Sequence, residues 1–502
     1  MVDVAVASRE ANEGPGVVLR WRWIALFAIL ACEIMDVVDS TVLEVALPTI
    51  RRDLHVGTAT FQWIAASYSI ALAVGLLPGA RLGDIYGRKR VFLGAMSGFI
   101  ISSVLCATAP SGQLLIVYRL TEGLSAGLMM PQVLAVIRSS FPPKQVAMAS
   151  GLVGPLVGLS AAIAPALGGS IIGANILGLS WRAVFFLNVP IGLLALVGTM
   201  LLVKESRAPQ RITLDWVGTI TIAAVWVGLL YPITVGHDDG WPLWTFGCMA
   251  ASLVLLGVFI VQQRRRAGAG LDPLLVLGLF RRRTFNVGLV VVFAFMASMA
   301  GMFFTISLYL QIGLGFSAAR AGLVMMPWAF GIVVGVVALG GLSERIGSRW
   351  VIQIGMLLQG VGVFLVYLTS SHQHIGYWQL QPGLVLAGIG MGAVIAPLFG
   401  LVLVGVQPDQ IGSGSGMLNS ADQLANACGI AVIGTVFFAF VNEKSAEGAR
   451  VAYTYGLRQC AWITLAAYAV TIAITFALPR NGLTEDEVEA ASLPEIELVH
   501  NT

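Results

Sequence analysis

Four carboxylates fall within one apolar run near the start of the chain: Glu33, Asp36, Asp39 and Glu44. At 100° per residue of helix they project at about 0°, 300°, 240° and 20°, an arc of roughly 140° on one face. Acids this close, once taken out of bulk water, cannot all ionise cheaply, because lost hydration and like charge both oppose it. At least one is expected to exchange a proton near neutral pH, which is what coupling to a proton gradient demands. Neutralisation by arginine or by helix ends is the alternative for each of the four.

Two further sets carry possible chemistry. Arg119 lies in another apolar run with Glu122 one helical turn away. Counted at 1.5 Å per residue, Arg119 sits about 9 Å from the end of its run, a depth comparable to that of Asp39. An unpaired arginine there would be costly. Proton uptake on one acid is therefore expected to move Arg119 toward the other, unless the group is a static ion pair. Farther along, Asn419, Asp422, Gln423 and Asn426 recur at i, i+3, i+4 and i+7, one face of a helix. Polar contact between helices would account for the amides. The acid Asp422 points instead to a cavity wall.

The elements that must position these residues follow from composition. Of 502 residues, 57% are hydrophobic and only 11% charged, against roughly 25% charged in soluble domains. Mean hydropathy is +0.86. Disorder, collagen and a disulfide-stapled scaffold are excluded, and an all-α polytopic membrane protein remains. A span takes about 20 apolar residues, and about fourteen separated runs of that length occur, from 23–47 to 458–478. The first run carries acids that no signal peptide tolerates and is expected to stay as a span.

With the N-terminus inside, 21 Lys and Arg fall on the inner side and 7 on the outer, with Arg119 within a span. Both termini are therefore expected in the cytoplasm, in the plasma (inner) membrane. An internal repeat supports the layout: Leu82, Asp84 and Gly87 in "RLGDIYGRKR" match Leu342, Glu344 and Gly347 in "GLSERIGSR" at a constant offset of 260. A duplicated six-helix unit with two extra helices between the copies explains it. The divisions expected are an N-tail (1–22), a first bundle (23–203), two extra helices with a connector (204–285), a second bundle (286–479) and an acidic, solvated tail (480–502). The Arg triplets at 264–266 and 281–283 flank an apolar stretch, which reads either as a membrane-surface segment or as an ordinary inner loop.

Other chemistries find little support. The five cysteines are widely spaced within apolar runs and read as packing residues. The five histidines lie in loops or the tail, so no metal site within the membrane is expected. No phosphate-binding loop of the Gly-x-x-x-x-Gly-Lys-Ser/Thr type occurs, so ATP and other cofactors are not expected. Clustered nucleophiles at one depth, as an enzyme would need, are missing too. A net charge of +3 gives no reason to expect nucleic acid as a partner.

The motifs resemble the major facilitator superfamily, and within it the fourteen-span drug:proton antiporters, over nearly the whole chain. "DSTVLEVALP" (39–48) is similar to the first-span signature, with Glu44 in place of Asn, and "ARLGDIYGRKR" (80–90) to the inner-loop motif, with Ala80 in place of Gly. "LIVYRLTEGLSAG" (115–127) is similar to the motif around a buried arginine, with Glu122 where Gln is usual. "WRAVFFLNVPIG" (181–192), "DWVG" (215–218) and "YLQIGLGFSAARAGLVMMP" (309–327) also look like the family. The antiporter motif is partial: Gly151, Pro165, Gly168 and Gly169 fit, but Ser160 and Ala164 replace glycines. In "GSGMLNSADQLANACG" Asp422 stands in place of Arg.

The resemblance implies a proton-relay role for Arg119, beside Asp39, Asp36, Glu122 and Asp422. It implies that Asp84 and Arg88 make charge contacts that hold the halves together on the inner side in one state, with Gly87 allowing the tight turn. Lys89, and Glu344 and Gly347 in the second copy, are expected in the same gating role. Glu33, Glu44, Asn419, Gln423 and Asn426 are expected in the substrate cavity. The added acids Glu44, Glu122 and Asp422 should favour lipophilic cations or a changed proton count. The expected activity is proton-coupled export of drugs or toxic compounds by alternating access, or else of an endogenous amphiphile. Partners are then the bilayer, protons and a small amphipathic substrate, and a single chain is expected to suffice.

Overall fold

In hydrocarbon a backbone without water must satisfy itself, and these apolar runs do so as helices. The computed structural model describes residues 22–140, 153–206, 214–236, 240–271, 273–275, 277–340, 342–371, 378–404, 406 and 411–480. Among the described residues are fourteen helices of 20 residues or more. The first six are α1 (Arg22–Asp53), α2 (Thr58–Tyr86), α3 (Arg88–Ala107), α4 (Gly112–Ser140), α5 (Val153–Ala174) and α6 (Arg182–Leu202). Two more follow, α7 (Trp216–Gly236) and α8 (Leu243–Gly268). The last six are α9 (Arg283–Leu308), α10 (Ala318–Gly340), α11 (Ser348–Thr369), α12 (Gln381–Val402), α13 (Ile411–Glu443) and α14 (Ala449–Thr475).

Eleven of the fourteen are long and apolar enough to cross a membrane by length and composition. The three outside that set include α1 and α4, which carry the acids and Arg119. Helix ends run past the apolar edges read from sequence: α1 continues to Asp53 and α14 begins at Ala449. Apolarity marks the stretch in hydrocarbon, whereas hydrogen bonding carries a helix onward into the interface, where Arg51 and Arg52 in the last turn of α1 suit its dipole.

Helices α1 to α6 pack on one another, and α9 to α14 do the same. The halves meet through α2 against α13 and α5 against α10. Helix α7 packs beside the first of these contacts, on both α2 and α13, and α8 packs on α7. The apolar stretch of α2 is 78% buried in protein and that of α8 only 17%. Helix α2 is therefore an interior element, and α8 turns its sides to the lipid.

The repeat seen in sequence has a backbone counterpart. Gly87 (φ 106°, ψ 133°) and Gly347 (φ 96°, ψ 142°) each stand directly before a long helix, in a region that L side chains avoid. Each N–H donates four residues back, to Gly83 and to Ser343. Each turn is also tied to the end of its own bundle. Glu205, after α6, accepts from the Lys89 and Arg90 N–H groups (3.1 and 3.2 Å). Arg349 donates its N–H to the Arg480 carbonyl (3.2 Å) and its guanidinium to that of Leu478 (3.2 Å).

Ser420 Oγ of α13 donates to the Ala73 carbonyl of α2 (3.2 Å), and three other hydrogen bonds between the halves lie toward the end where Asp53 is. Ser307 Oγ donates to the Glu44 carbonyl (2.9 Å), Gln311 Nε2 to that of Val45 (3.0 Å) and Thr435 Oγ1 to Gln62 Oε1 (3.3 Å). Gln311 lies in a π-helical turn, Tyr309–Gly313, that extends α9. Helices α5 and α10 touch backbone to backbone: a methyl on Gly169 would stand 2.5 Å from the Ala318 carbonyl, and one on Gly322 only 2.0 Å from that of Pro165.

Replacing Gly87 with Ala should destabilise the protein by about 1–3 kcal/mol through the forced backbone. Its Cβ would also meet the Glu205 carboxylate at 2.5 Å. Gly94→Ala, in open space within α3, should be neutral or slightly stabilising. Thermal unfolding of the purified protein in detergent separates the two.

Candidate functional site

Five helices of the first half converge on one buried guanidinium. Arg119 of α4 is 1% exposed, Asp39 of α1 1% and Glu122 0%. Arg119 Nη1 donates to Asp39 Oδ2 and, at 2.8 Å, to Glu122 Oε2. Spacing explains the second bond, since residues three apart on a helix share a face. The comparable depths of Asp39 and Arg119 expected from sequence explain the first.

Around this trio the polar groups are engaged in turn. Asn188 of α6 donates Nδ2 to Asp39 Oδ1 (2.9 Å) and to Ser103 Oγ (3.0 Å). Ser103 Oγ in turn donates to the Phe185 carbonyl (2.9 Å). Cys106 Sγ donates to Glu122 Oε2 at 3.4 Å, so this cysteine does more than pack. The Tyr68 ring of α2 lies 4.2 Å from the guanidinium carbon, a cation–π contact out of water. Its hydroxyl donates to Asp36 Oδ1 at 2.5 Å. Tyr68 thus links a third acid to the centre.

The acidic stripe of α1 therefore divides. Asp39 turns to Arg119 and Asp36 to Tyr68, whereas Glu33 and Glu44 are half-buried. Glu33 feels the charge of Asp36. Glu44 lies where α9 meets α1, and its Oε2 is buried with no hydrogen-bond partner. On α13, Asp422 is half-buried, accepts from Asn426 Nδ2 (3.4 Å) and lies within electrostatic reach of Asp36 across the halves. Gln423 is half-buried and Asn419 exposed. Among the described residues Glu33, Asp36, Glu44 and Asp422 form no ion pair.

The remaining residues singled out in the sequence lie elsewhere. Arg88 pairs with Asp84 at 3.2 Å, within the first half, and Lys89 Nζ donates to the Met200 carbonyl (2.7 Å). Glu344 belongs to a one-turn helix, Leu342–Ile346, that ends at Gly347. Pro165 and Gly169 line the contact of α5 with α10, and Gly168 faces Val42 of α1. Gly151 and the acidic tail lie outside the described residues. Tyr68, Ser103, Asn188 and Cys106 were not anticipated. Asn188 stands inside the quoted "WRAVFFLNVPIG", an amide in an apolar run, which was a usable signal.

An all-helical chain with spans enough to cross a bilayer many times and an ionic centre deep between helices is a polytopic membrane protein built around buried charge. The family model described as Major Facilitator Superfamily matches residues 29–430. The chain belongs to that superfamily, whose members are transporters and not enzymes. A probable actinorhodin transporter of Streptomyces coelicolor is 40% identical over 426 residues, 84% of this chain and 74% of that protein. The tetracenomycin C resistance and export protein of Streptomyces glaucescens is 30% identical, over 85% and 78%. A crystal structure of a bacterial homologue of the human lysosomal transporter Spinster, inward-facing and unoccupied, shares the fold at TM-score 0.67 and 18% identity, over 93% of this chain and 99% of that one.

Arg119→Gln should destabilise by about 3–5 kcal/mol, because it leaves two carboxylates buried without their cation. The triple variant Arg119→Gln, Asp39→Asn, Glu122→Gln should recover part of that loss, since it removes the charges together. Thermal unfolding in detergent tests the order: wild type, then triple variant, then single variant.

Proposed function

We propose that this protein is a proton-coupled antiporter of fourteen membrane-spanning helices, both termini cytoplasmic, that exports lipophilic, cationic drugs or toxic compounds by alternating access. The reading places it among the fourteen-span drug:proton antiporters. The observation that carries it is one guanidinium shared by two buried carboxylates. With both acids ionised the trio holds one positive and two negative charges, so a single proton balances it. Proton uptake on Glu122 leaves Arg119 to Asp39, and uptake on Asp39 leaves it to Glu122. Such a swap moves α4 relative to α1.

Asp36 extends the relay through Tyr68, and its charge is felt by Asp422 in the other half. A proton bound on one side of the centre thereby alters the interaction between the halves, which alternating access requires. The acids without ion-pair partners, Glu33, Asp36, Glu44 and Asp422, favour a cation as cargo. Names of similar proteins support a second reading. Two of them refer to one antibiotic each, which favours export of an endogenous amphiphilic metabolite.

Purified protein in proteoliposomes, given an inward proton gradient, should expel a fluorescent lipophilic cation. Asp39→Asn should abolish that flux while leaving the protein folded. Flux indifferent to the gradient, or to this substitution, would sink the mechanism. Protection of cells from several unrelated lipophilic cations would favour the drug reading, and protection from a single metabolite the other.

A further inference from the structure

The two helices between the halves do not contribute to the ionic centre, yet they build a feature of their own. The Arg triplets lie at helix ends: Arg264, Arg265 and Arg266 in the last turns of α8, and Arg281, Arg282 and Arg283 where a short turn, Leu277–Arg281, meets the start of α9. Asp215, 3% exposed ahead of α7, binds across this region. It accepts from Gln262 (2.9 Å) and Gln263 (2.6 Å) and pairs with Arg266 at 3.6 Å. Gln263 Oε1 in turn accepts from the Leu275 N–H at 3.1 Å. The connector is thereby folded back beneath the α7–α8 hairpin.

Between hairpin and connector lies a groove of about 1060 Å³, larger than the ~300–1,000 Å³ of ordinary small-molecule sites. Its walls include Ile222 and Trp226 of α7 and Leu256 and Ile260 of α8, with Arg264 and Arg281 among its lining residues. Leu256 stands eight residues from Arg264, about 12 Å along the helix at 1.5 Å per residue. The groove is therefore apolar along its depth and cationic at one end. Arg264 and Arg281 are exposed and form no ion pair among the described residues. Three arginines at the start of α9 also oppose its dipole, so negative charge there is favoured twice.

We propose that this groove binds an anionic phospholipid, its phosphate between Arg264 and Arg281 and an acyl chain against Ile222, Trp226, Leu256 and Ile260. Charge complementarity selects this occupant. A second copy of the chain would bring the same arginines against these, and a soluble anion would leave the apolar walls uncovered. Helix α8 faces lipid already, so the lipid enters sideways from the bilayer. The excess of positive charge puts this end of the molecule at the cytoplasmic leaflet, where basic pockets between helices take up anionic headgroups. Binding of this kind would fasten α7, and with it the flank of the α2–α13 contact, to the membrane.

Native mass spectrometry of the full-length protein, titrated with phosphatidylglycerol or phosphatidylcholine of the same acyl chains, tests the proposal independently of transport. Phosphatidylglycerol should be held about fivefold or more tightly, and R264Q/R281Q should weaken it on the order of tenfold. Lys204→Gln, at the same end but away from the groove, should change nothing. Leu256→Trp keeps both arginines and should weaken the two lipids alike by filling the groove, so the test stands even if the double variant fails to fold. Equal retention of the two lipids, or unaltered phosphatidylglycerol binding by a folded double variant, would overturn it. So would a dimer abolished by R264Q/R281Q, or inorganic phosphate displacing the lipid at equal concentration.

Discussion

A guanidinium cannot be put into a dry helix bundle unless carboxylates come with it, and the first half of this protein is arranged around that constraint. Arg119 brings Asp39 from α1 and Glu122 from its own helix. The surplus negative charge then needs donors, which α6 supplies through Asn188 and α3 through Cys106. Tyr68 covers the cation from α2 with its ring. Five helices thus meet at one group, and turning any of them would take an ion-pair, hydrogen-bond or ring partner from a buried charge. Buried networks of this kind matter when complete and are costly when broken.

Much of this was legible in the sequence. Ionisable residues in apolar runs are conspicuous, and the depths of Asp39 and Arg119 follow from counting residues, so their contact could be foreseen. The offset of 260 between Gly87 and Gly347 falls on two turns of the same backbone shape. What could not be foreseen was which way each acid of α1 turns. A helical wheel gives angles about one axis, but Asp39 and Asp36 are separated by their neighbours, Arg119 for one and Tyr68 for the other. Tyr68 and Ser103 left no trace, because a lone hydroxyl in an apolar run is common and only tertiary contact gives it a role. Helix ends were underestimated for a related reason: the sequence reports where hydrocarbon ends, not where hydrogen bonding does.

The two halves are unequal partners in this arrangement. The first holds the ionic centre. Asp422, with Asn426, gives the second half an acid within electrostatic reach of Asp36 and outside the trio. Between them α7 lies against both α2 and α13, so any change in the angle of those helices is felt by the extra hairpin. Superfamily membership supplies the transporter fold, but the interplay of Asp36, Tyr68 and Arg119 belongs to these particular side chains.

Backbone resting on backbone at Gly169 and Gly322 has a mechanical consequence. Interlocked side chains resist rotation because they must climb over one another, whereas two smooth helix surfaces can roll with little friction. The contact of α5 with α10 is therefore suited to act as a fulcrum near the Asp53 end. Each bundle is braced by the tie between its glycine turn and its own last helix, and so can swing as a stiff lever. A few degrees of rotation at such a fulcrum would become several ångströms of separation at the far end.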